Sequence, residues 1–286
     1  MRTAFIGLGV MGYPMAGYLA KNGHDVVVYN RTTARAETWC DEYEGSVALT
    51  PFEAARDADV VFCCVGNDDD VREVLIGEHG TLQGLSAGAV IVDHTTASAE
   101  LARELYVDCK ARSVDFLDAP LSGGQAGAEN GQLSIMVGGD QAVFDRISPL
   151  MDSYAKAITL IGPAGSGQLA KMVNQICIAG VVQGIAEGLH FAKRADLDTA
   201  KVIASISKGA AQSWQMENRW ESMINGEFEF GFAVDWMRKD LGITLAEAER
   251  IGAKLEMTKL IDEYYGEVQE LGGNRWDTSS LIARLE

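Results

Sequence analysis

The sequence contains few positive charges. Its 286 residues include 24 lysines and arginines against 41 aspartates and glutamates, which gives a net charge of −17 at pH 7. A strongly acidic chain argues against nucleic acid or an anionic membrane surface as the main partner, because both are themselves negatively charged. An anionic ligand must therefore find positive charge or hydrogen-bond donors locally.

Cysteine and histidine are also scarce. The five cysteines form no CxxC pair and no set with metal-ligand spacing, so reduced thiols in a cytoplasmic protein are expected. The four histidines form neither a ligand cluster nor a Ser/His/Asp series, and no metal is predicted. His94 could face a ligand pocket, but a surface or supporting position is favoured.

Long apolar runs are missing as well. The first residues, MRTAFIGLG, show no signal-peptide or transit-peptide pattern, and the least polar stretch is the short run ICIAGVV. A helix that spans a membrane needs about 20 apolar residues, so no membrane segment is predicted. With 47% apolar residues the chain can bury a large core, and its length predicts two domains.

Short apolar runs alternate with helix-like segments as far as residue 162. Runs such as DVVVYN and ADVVFCCV are typical of strands that are buried on both faces. Their alternation with helices predicts an α/β domain over residues 1–163, with a Rossmann-type, doubly wound parallel sheet.

Residues 164–286 are predicted to form an all-helical domain. The stretch GQLAKMVNQICIAGVVQGIAEGLHFAKRA contains no strand pattern and predicts a long interdomain helix of roughly 40 Å. Because it is apolar almost all round, burial between domains or subunits is expected. Gly180, Gly184 and Gly188 would let a neighbouring helix approach closely. A homodimer or homotetramer is favoured, with burial of the apolar surface inside one chain as the alternative.

The segment GLGVMG follows the first predicted strand and opens the first predicted helix. In this setting backbone N–H groups and the helix dipole can bind a pyrophosphate. Gly7 permits the tight turn, Gly9 leaves room for phosphates, and Gly12 allows helix and strand to pack closely. The loop residues assigned to cofactor binding are Gly7, Leu8, Gly9, Val10, Met11 and Gly12. The alternative is that the glycines serve only a tight turn.

The end of the second strand indicates which dinucleotide is preferred. NAD sites usually place an acidic residue there, whereas the 2′-phosphate of NADP requires a neutral residue and an arginine. This chain has Asn30, Arg31 and Thr32. NADP, and hence NADPH, is therefore favoured, and NAD is the alternative cofactor. Arg31 could instead be a solvated surface residue just past the end of the strand.

Five motifs occur in the order found in one enzyme family. They are GLGVMGYPMAGYLAKNGH, DHTT, DAPLSGGQAGAENGQLSIMVGG, GSGQLAKMVNQ and KDL. The chain resembles the β-hydroxyacid dehydrogenases over residues 5 to about 245. That family includes 3-hydroxyisobutyrate dehydrogenases and the tartronate, succinic and glyoxylic semialdehyde reductases. The Asn-Gln pair that follows the lysine of GSGQLAKMVNQ is more similar to the tartronate semialdehyde reductase branch.

Lys171 lies in an otherwise apolar helix, where an unpaired ammonium is costly. An ammonium can stabilise and protonate the oxygen of an aldehyde that receives a hydride. The resemblance implies that Lys171 is the general acid/base and that the nearby amides of Asn174 and Gln175 orient the substrate. Without the resemblance, a lysine that extends along an interdomain helix to water is the alternative.

The loop PLSGG follows a predicted strand at the edge where open α/β sheets bind ligands. Ser122 and the N–H groups of Gly123 and Gly124 could bind a carboxylate, and the resemblance implies this role; a plain turn is the alternative. The resemblance also places Thr96 near the nicotinamide and Val65 behind the adenosine ribose.

The segment FAVDWMRKDL carries the last assigned residues. The resemblance implies that Phe232 borders the substrate, Lys239 meets the cofactor and Asp240 lies near the site.

The predicted protein is an NADP-preferring oxidoreductase that interconverts a short β-hydroxyacid, or a related hydroxyacid, and its semialdehyde. Lys171, Asn174 and Ser122 are assigned to catalysis. The alternatives are a larger decarboxylating dehydrogenase of the 6-phosphogluconate type, a reductase of another small carbonyl or imine, and a non-catalytic dinucleotide-binding module.

Overall fold

The computed structural model describes residues 1–285. The chain divides into two compact units, Met1–Lys171 and Met172–Glu286. The first unit contains the strands and the second is helical, which confirms the predicted fold class.

Nine strands form the sheet of the first unit. They are β1 Arg2–Ile6, β2 Asp25–Tyr29, β3 Ser46–Val47, β4 Val60–Cys63, β5 Val90–Asp93, β6 Asp115–Asp118, β7 Leu121–Ser122, β8 Leu133–Gly138 and β9 Ala155–Gly162.

The helices follow the strands and then continue to the end of the described chain. They are α1 Gly12–Lys21, α2 Thr33–Glu42, α3 Pro51–Ala55, α4 Asp68–Ile76, α5 Ala99–Ala111, α6 Gly124–Glu129, α7 Gln141–Met151, α8 Ser166–Arg194, α9 Thr199–Ile206, α10 Trp214–Asn225, α11 Val234–Ile251 and α12 Glu256–Glu270, with 3₁₀ helices at Thr81–Gln83 and Thr278–Leu285.

The sheet has the strand order β3-β2-β1-β4-β5-β6-β8-β7, with β9 paired to β8. The first six strands in this order are parallel, but β8 runs antiparallel to both β6 and β7. This edge therefore departs from the parallel pairing of the rest of the sheet. The residues between β6 and β8 form only the short strand β7 and the short helix α6, whereas a parallel crossover usually needs a full helix. The order reverses at β1, which has β2 on one side and β4 on the other.

The central strands are buried on both faces. Phe5 and Phe62 pack in one hydrophobic cluster, whereas their strand neighbours Ile6 and Val61 pack in the other. Successive side chains of a strand point to opposite faces, so each strand contributes to both cores. This explains the near-continuous apolar runs of the sequence.

Helix α8 is as long as the sequence predicts but is buried on one side only. Val173 and Phe191 are 60% and 71% exposed, while Val182 and Ala186 are buried. A side chain at Gly180 would meet Met257, but at Gly184 and Gly188 it would meet no atom within 4 Å. Within this chain the other side of α8 is therefore exposed. Burial of the exposed side between subunits stays a prediction.

Helix α8 also has the length and composition of a membrane-spanning helix, with a mean hydropathy of 1.4 in its most apolar window. The run ICIAGVV is only the central part of this longer segment, so the prediction that rests on that run alone does not cover it. Buried residues make up 44% of the window, and one or two such helices are also typical of the cores of soluble enzymes.

Candidate functional site

The glycine-rich loop joins β1 to α1 beside the point where the strand order reverses. Gly7 has φ +95° and its N–H donates to the Tyr29 carbonyl at 2.8 Å. A Cβ on Gly12 would collide with the Gly7 carbonyl oxygen and lie 3.0 Å from the Phe5 ring, so only glycine lets α1 pack this closely. A Cβ on Gly9 would meet no atom within 4 Å. The loop therefore fits the approach of a pyrophosphate to its backbone.

The end of β2 fixes the shape of this loop. The Asn30 side-chain oxygen accepts a 2.9 Å hydrogen bond from the Leu8 N–H, and the Asn30 amide donates to the Thr32 carbonyl at 3.0 Å. The Arg35 guanidinium donates to the Leu8 carbonyl. Asn30 is thus a neutral residue that orders the loop at the position where NAD sites usually carry an acid.

Arg31 extends into solvent beside the loop. Its side chain is 81% exposed, and its guanidinium lies 3.2 Å from the Asp70 carboxylate at the start of α4. Exposed ion pairs are weak because water and salt screen them. Arg31 can therefore leave Asp70 and pair with a phosphate at a small cost in free energy.

Val65 and Thr95 connect the ends of β4 and β5. The Val65 N–H donates to the Thr95 hydroxyl at 3.0 Å, and the Asp93 carboxyl accepts from the Thr95 N–H at 3.0 Å. Burial raises the pKa of Asp93 to about 7, although hydrogen bonds from Thr95 oppose this shift. Thr95, which is not among the predicted site residues, thus holds the segment that contains Val65.

His94 is a core residue. One ring nitrogen lies 2.6 Å from the Ala119 carbonyl and the other 2.9 Å from the Tyr154 hydroxyl, and the ring stacks on Phe62. Burial lowers the pKa of His94 to about 4, so the ring is neutral at physiological pH. The structure supports neither a surface position nor one that faces a ligand pocket.

Thr96 lies in the segment that follows β5 and is partly buried. The side chain of Gln168, which is 1% exposed, forms hydrogen bonds to both residues that flank Thr96. Its amide N–H donates to the Thr95 carbonyl at 2.8 Å, and its oxygen accepts from the Ala97 N–H at 3.1 Å. Gln168 belongs to the first turn of α8, so the helix start is attached to the end of β5.

Asp118 attaches the same helix start to the end of β6. Its carboxylate accepts from the N–H groups of Gly165 at 2.7 Å and Gln168 at 2.9 Å. Burial raises the pKa of this carboxyl, and the backbone hydrogen bonds oppose the shift. A carboxylate at a helix N-terminus is favourable because it satisfies N–H groups that have no partner within the helix.

Lys171 lies one turn after Gln168 on α8 and is 8% exposed. Residues three apart share a helix face, so Lys171 and Gln168 lie on the same side. Asn174 and Gln175 continue this face along the next turn of α8.

Ser122 ends β7, where it pairs with Ser134 of β8. Gly123 and Gly124 follow with φ +138° and +60° and are exposed. These are conformations that favour glycine, so the segment forms a tight turn that presents backbone groups to solvent. The turn has the backbone groups that a carboxylate-binding site needs. Carboxylate binding by Ser122, Gly123 and Gly124 stays a prediction.

In the second unit, four of the predicted residues come together. Asn174 donates to the Gln175 side-chain oxygen at 2.8 Å, and Gln175 donates to the Asp240 carboxylate at 2.6 Å. The Lys239 ammonium lies 3.1 Å from the other Asp240 oxygen. The side chain of Gln175 therefore bonds at both ends within the protein, as a link between α8 and α11.

Phe232 precedes α11. Its N–H donates to the buried Asp277 carboxylate at 2.8 Å, and its carbonyl accepts from the Thr278 N–H at 3.0 Å. The C-terminal 3₁₀ segment thus fixes the backbone at Phe232, a role for Asp277 that no motif indicated.

Among residues 1–285, no group of three or more His, Cys, Asp and Glu side chains could hold a metal ion.

Two family models match the chain. Residues 2–162 match the NAD-binding domain of 6-phosphogluconate dehydrogenase, and residues 165–285 match the NAD-binding domain of NADP-dependent 3-hydroxyisobutyrate dehydrogenase. The two matches include both the glycine-rich loop and Lys171.

Individual proteins are similar over the same length. An uncharacterized oxidoreductase of Shewanella frigidimarina is 63% identical, over 100% of this chain and 98% of that protein. The 2-hydroxy-3-oxopropionate reductase of Escherichia coli K12 is 37% identical, over 100% and 97% respectively. The structure of 3-hydroxyisobutyrate dehydrogenase from Mycobacterium tuberculosis with L-serine gives a TM-score of 0.90 at 29% identity, covering 100% of this chain and 99% of that one.

Proposed function

The chain belongs to the β-hydroxyacid dehydrogenase family, and we propose that it is an NADP-preferring reductase of a short carboxylated semialdehyde. It is an NAD(P)-dependent oxidoreductase that acts on CH–OH groups. The names of its relatives support a small hydroxyacid as the product. The observation that carries the proposal is the buried Lys171, which follows a helix start attached to the ends of β5 and β6.

The preference for NADP rests on Asn30 and Arg31. Asn30 is neutral and its side chain is used to order the loop, so it offers no carboxylate to a ribose 2′-hydroxyl. Arg31 is exposed beside that loop and can pair with a 2′-phosphate. Gly7 and Leu8 use their N–H groups within the protein, so the backbone donors proposed for the pyrophosphate are those of Gly9 to Gly12. Val65, Thr96 and Lys239 complete the proposed cofactor contacts.

When bound, NADPH supplies the hydride for this reaction. As the hydride adds to the aldehyde carbon, the carbonyl oxygen gains negative charge. The Lys171 ammonium stabilises that charge and donates a proton from Nζ, which yields the hydroxyacid. Oxidation reverses these steps, with Lys171 accepting the hydroxyl proton.

The carboxylate end of the substrate is assigned to Ser122 and to the N–H groups of Gly123 and Gly124. Successive backbone N–H groups in such a turn can form an anion-binding concavity. On α8, Asn174 and Gln175 are assigned to orienting the substrate, as are Phe232 and Asp240. Holding the substrate at both ends makes the transfer effectively intramolecular.

The test is oxidation of NADPH and of NADH by purified protein with tartronate, methylmalonate, succinic and glyoxylic semialdehydes, and with a simple aldehyde that has no carboxylate. We expect turnover of at least one semialdehyde, with NADPH well ahead of NADH. Arg31→Ala should remove that preference, whereas Arg112→Ala, an exposed arginine after α5, should not. Tight NADPH binding without turnover of any of these semialdehydes would contradict the substrate assignment.

The acid/base role is tested by Lys171→Met, with Lys193→Met in the last turn of α8 as the control. We expect the Lys171 variant to bind NADPH normally and to lose about 10²–10⁴-fold in kcat, the usual contribution of a general acid. Full turnover by this variant would refute the assignment.

We also propose a cytoplasmic homodimer or homotetramer. The exposed apolar residues of α8, among them Val173, Val181 and Phe191, support it, because an apolar strip of this kind is usually covered in an assembly. Light scattering of the purified protein measures the assembly, and a monomer at micromolar concentration would contradict it.

A further inference from the structure

We propose that Gln168 is a positioning residue that fixes Thr96, predicted to contact the nicotinamide, relative to Lys171. The inference rests on the proposed function, because it takes Lys171 as the acid/base. In this role Gln168 touches neither substrate nor cofactor and acts through the backbone of Thr95 and Ala97.

The first step is the contact of Gln168 with the segment after β5. Its side chain donates to the Thr95 carbonyl at 2.8 Å and accepts from the Ala97 N–H at 3.1 Å. These two backbone groups stand on either side of Thr96. A primary amide carries both a donor and an acceptor, and here it pairs with the main chain as a neighbouring strand would. The site is buried, so loss of the amide leaves both backbone groups without this partner.

The second step concerns the backbone of Gln168. Its N–H donates to the Asp118 carboxylate at 2.9 Å, as does the Gly165 N–H at 2.7 Å. A Cβ on Gly167 would lie 2.5 Å from the Met136 carbonyl oxygen and 2.7 Å from the Asp118 carbonyl oxygen. The first turn of α8 is therefore fixed directly against β6 and β8, with no space for sliding.

The third step joins Gln168 to Lys171. The two are three residues apart on one helix, so they are separated by a rise of about 4.5 Å and share a face. Because a helix is rigid over one turn, a shift of the Thr95–Ala97 segment relative to α8 changes the distance from Thr96 to Lys171. A misplacement of about 1 Å can cost about 10²-fold in rate, even from a change remote from the reacting atoms.

The experiment compares Gln168→Met and Gln168→Glu with Gln183→Met. Gln183 is also buried and lies on α8, but its amide bonds to Glu187 on the same helix. Each variant is assayed with NADPH and the best semialdehyde of the panel, with measurement of kcat, KM, the Tm, and the isotope effect on kcat with NADPH deuterated at C4. Nicotinamide fluorescence reports NADPH binding without any substrate.

For Gln168→Met we expect kcat to fall about 10–100-fold while the KM of the semialdehyde stays within about twofold, since the substrate contacts are kept. The isotope effect should rise towards its intrinsic value because hydride transfer becomes rate-limiting. The fluorescence of bound NADPH should change as Thr96 moves. Gln183→Met, which removes one bond within α8, should leave kcat, the isotope effect and the fluorescence of bound NADPH unchanged.

Gln168→Glu is the variant that separates positioning from simple destabilisation. A protonated carboxyl again offers a donor to the Thr95 carbonyl and an acceptor to the Ala97 N–H. Its kcat should therefore recover at acidic pH relative to Gln168→Met, beyond any pH effect in the wild type. Either an unchanged kcat in Gln168→Met or the absence of this recovery in Gln168→Glu would overturn the proposal.

Failure of this inference differs from failure of the proposed function. If Lys171→Met keeps full turnover, the acid/base assignment is wrong whatever Gln168 does. If Lys171→Met is inactive while both Gln168 variants keep normal kcat and NADPH fluorescence, only the positioning role is wrong.

Discussion

The substitution Gly12→Ala tests how the start of the chain creates the cofactor loop. A methyl group at position 12 would overlap the Gly7 carbonyl oxygen and lie 3.0 Å from the fully buried Phe5 ring. Neither neighbour is the end of a flexible side chain, so α1 must move away from β1. Overpacking of this kind costs about 1–3 kcal/mol, and the lower entropy of the unfolded alanine chain offsets about 0.5 kcal/mol. A net loss of about 1–2 kcal/mol in the free energy of unfolding follows.

The same displacement acts on NADPH binding, because the loop N–H groups move with the start of α1. Loss of one hydrogen bond to a charged phosphate costs about 1.5–3 kcal/mol, which raises the Kd for NADPH about 10–100-fold. Urea unfolding followed by circular dichroism measures the first effect, and nicotinamide fluorescence measures the second. The unfolding and the NADPH binding are both measured on the whole chain. Because its two units can unfold in separate transitions, the loss of stability is assigned to the transition in which it occurs.

The matched control is Gly242→Ala. Gly242 is exposed in the interior of α11, and a Cβ there would meet no atom within 4 Å. Removal of a helix-interior glycine should stabilise the chain by about 0.5–1 kcal/mol and leave the Kd for NADPH unchanged. Equal stability or equal NADPH affinity for Gly12→Ala and the wild type would refute the close-packing explanation of the motif.

Three further predictions concern charged and titratable groups. Burial lowers the pKa of His94 to about 4, so the protein should lose up to about 3 kcal/mol of stability as the pH falls from 6.5 through 4. Urea unfolding across this range should show a smaller loss in His94→Gln than in the wild type, and an equal loss would contradict the prediction. Asp118→Ala leaves two buried N–H groups without this acceptor and should lower the free energy of unfolding by about 2–4 kcal/mol, with a smaller loss in Asp118→Asn. Calorimetry measures the loss, and a value below about 1 kcal/mol would refute the attachment of α8 through Asp118. Asp70→Asn releases Arg31 and should lower the KM for NADPH about two- to fivefold without affecting NADH; an equal change for both cofactors would rule out competition for Arg31.

The sequence predicts the features that depend on local patterns. Strands that are buried on both faces appear as short, near-continuous apolar runs, so β2, β4 and β5 can be located from their valines and isoleucines. The first glycine motif is informative for the same reason, because strand, turn and helix follow one another directly. The family resemblance rests on such local motifs and is confirmed by the comparisons.

Features that depend on distant residues could not be predicted in this way. The two-residue strand β7 carries no period, so the antiparallel edge of the sheet could not be recognised. Gln168 stands inside a quoted motif, yet its partners lie 71 and 73 residues earlier. His94 follows a strand end, as a ligand-binding residue could, and only its contacts with Ala119 and Tyr154 identify it as part of the core.

The acidic net charge and the anionic cofactor are compatible because the field of the whole protein is short-ranged. At physiological ionic strength charges are screened beyond about 8 Å, so most of the excess carboxylates act weakly on the loop. The proposed donors of the loop are the backbone N–H groups of Gly9 to Gly12, and their partial charges do not depend on the net charge. Two arginines belong to this region: Arg35 bonds to the Leu8 carbonyl, and Arg31 is exposed and paired with Asp70. We therefore expect these few side chains to decide the proposed preference for NADP, and the other carboxylates to affect mainly the rate at which NADPH approaches.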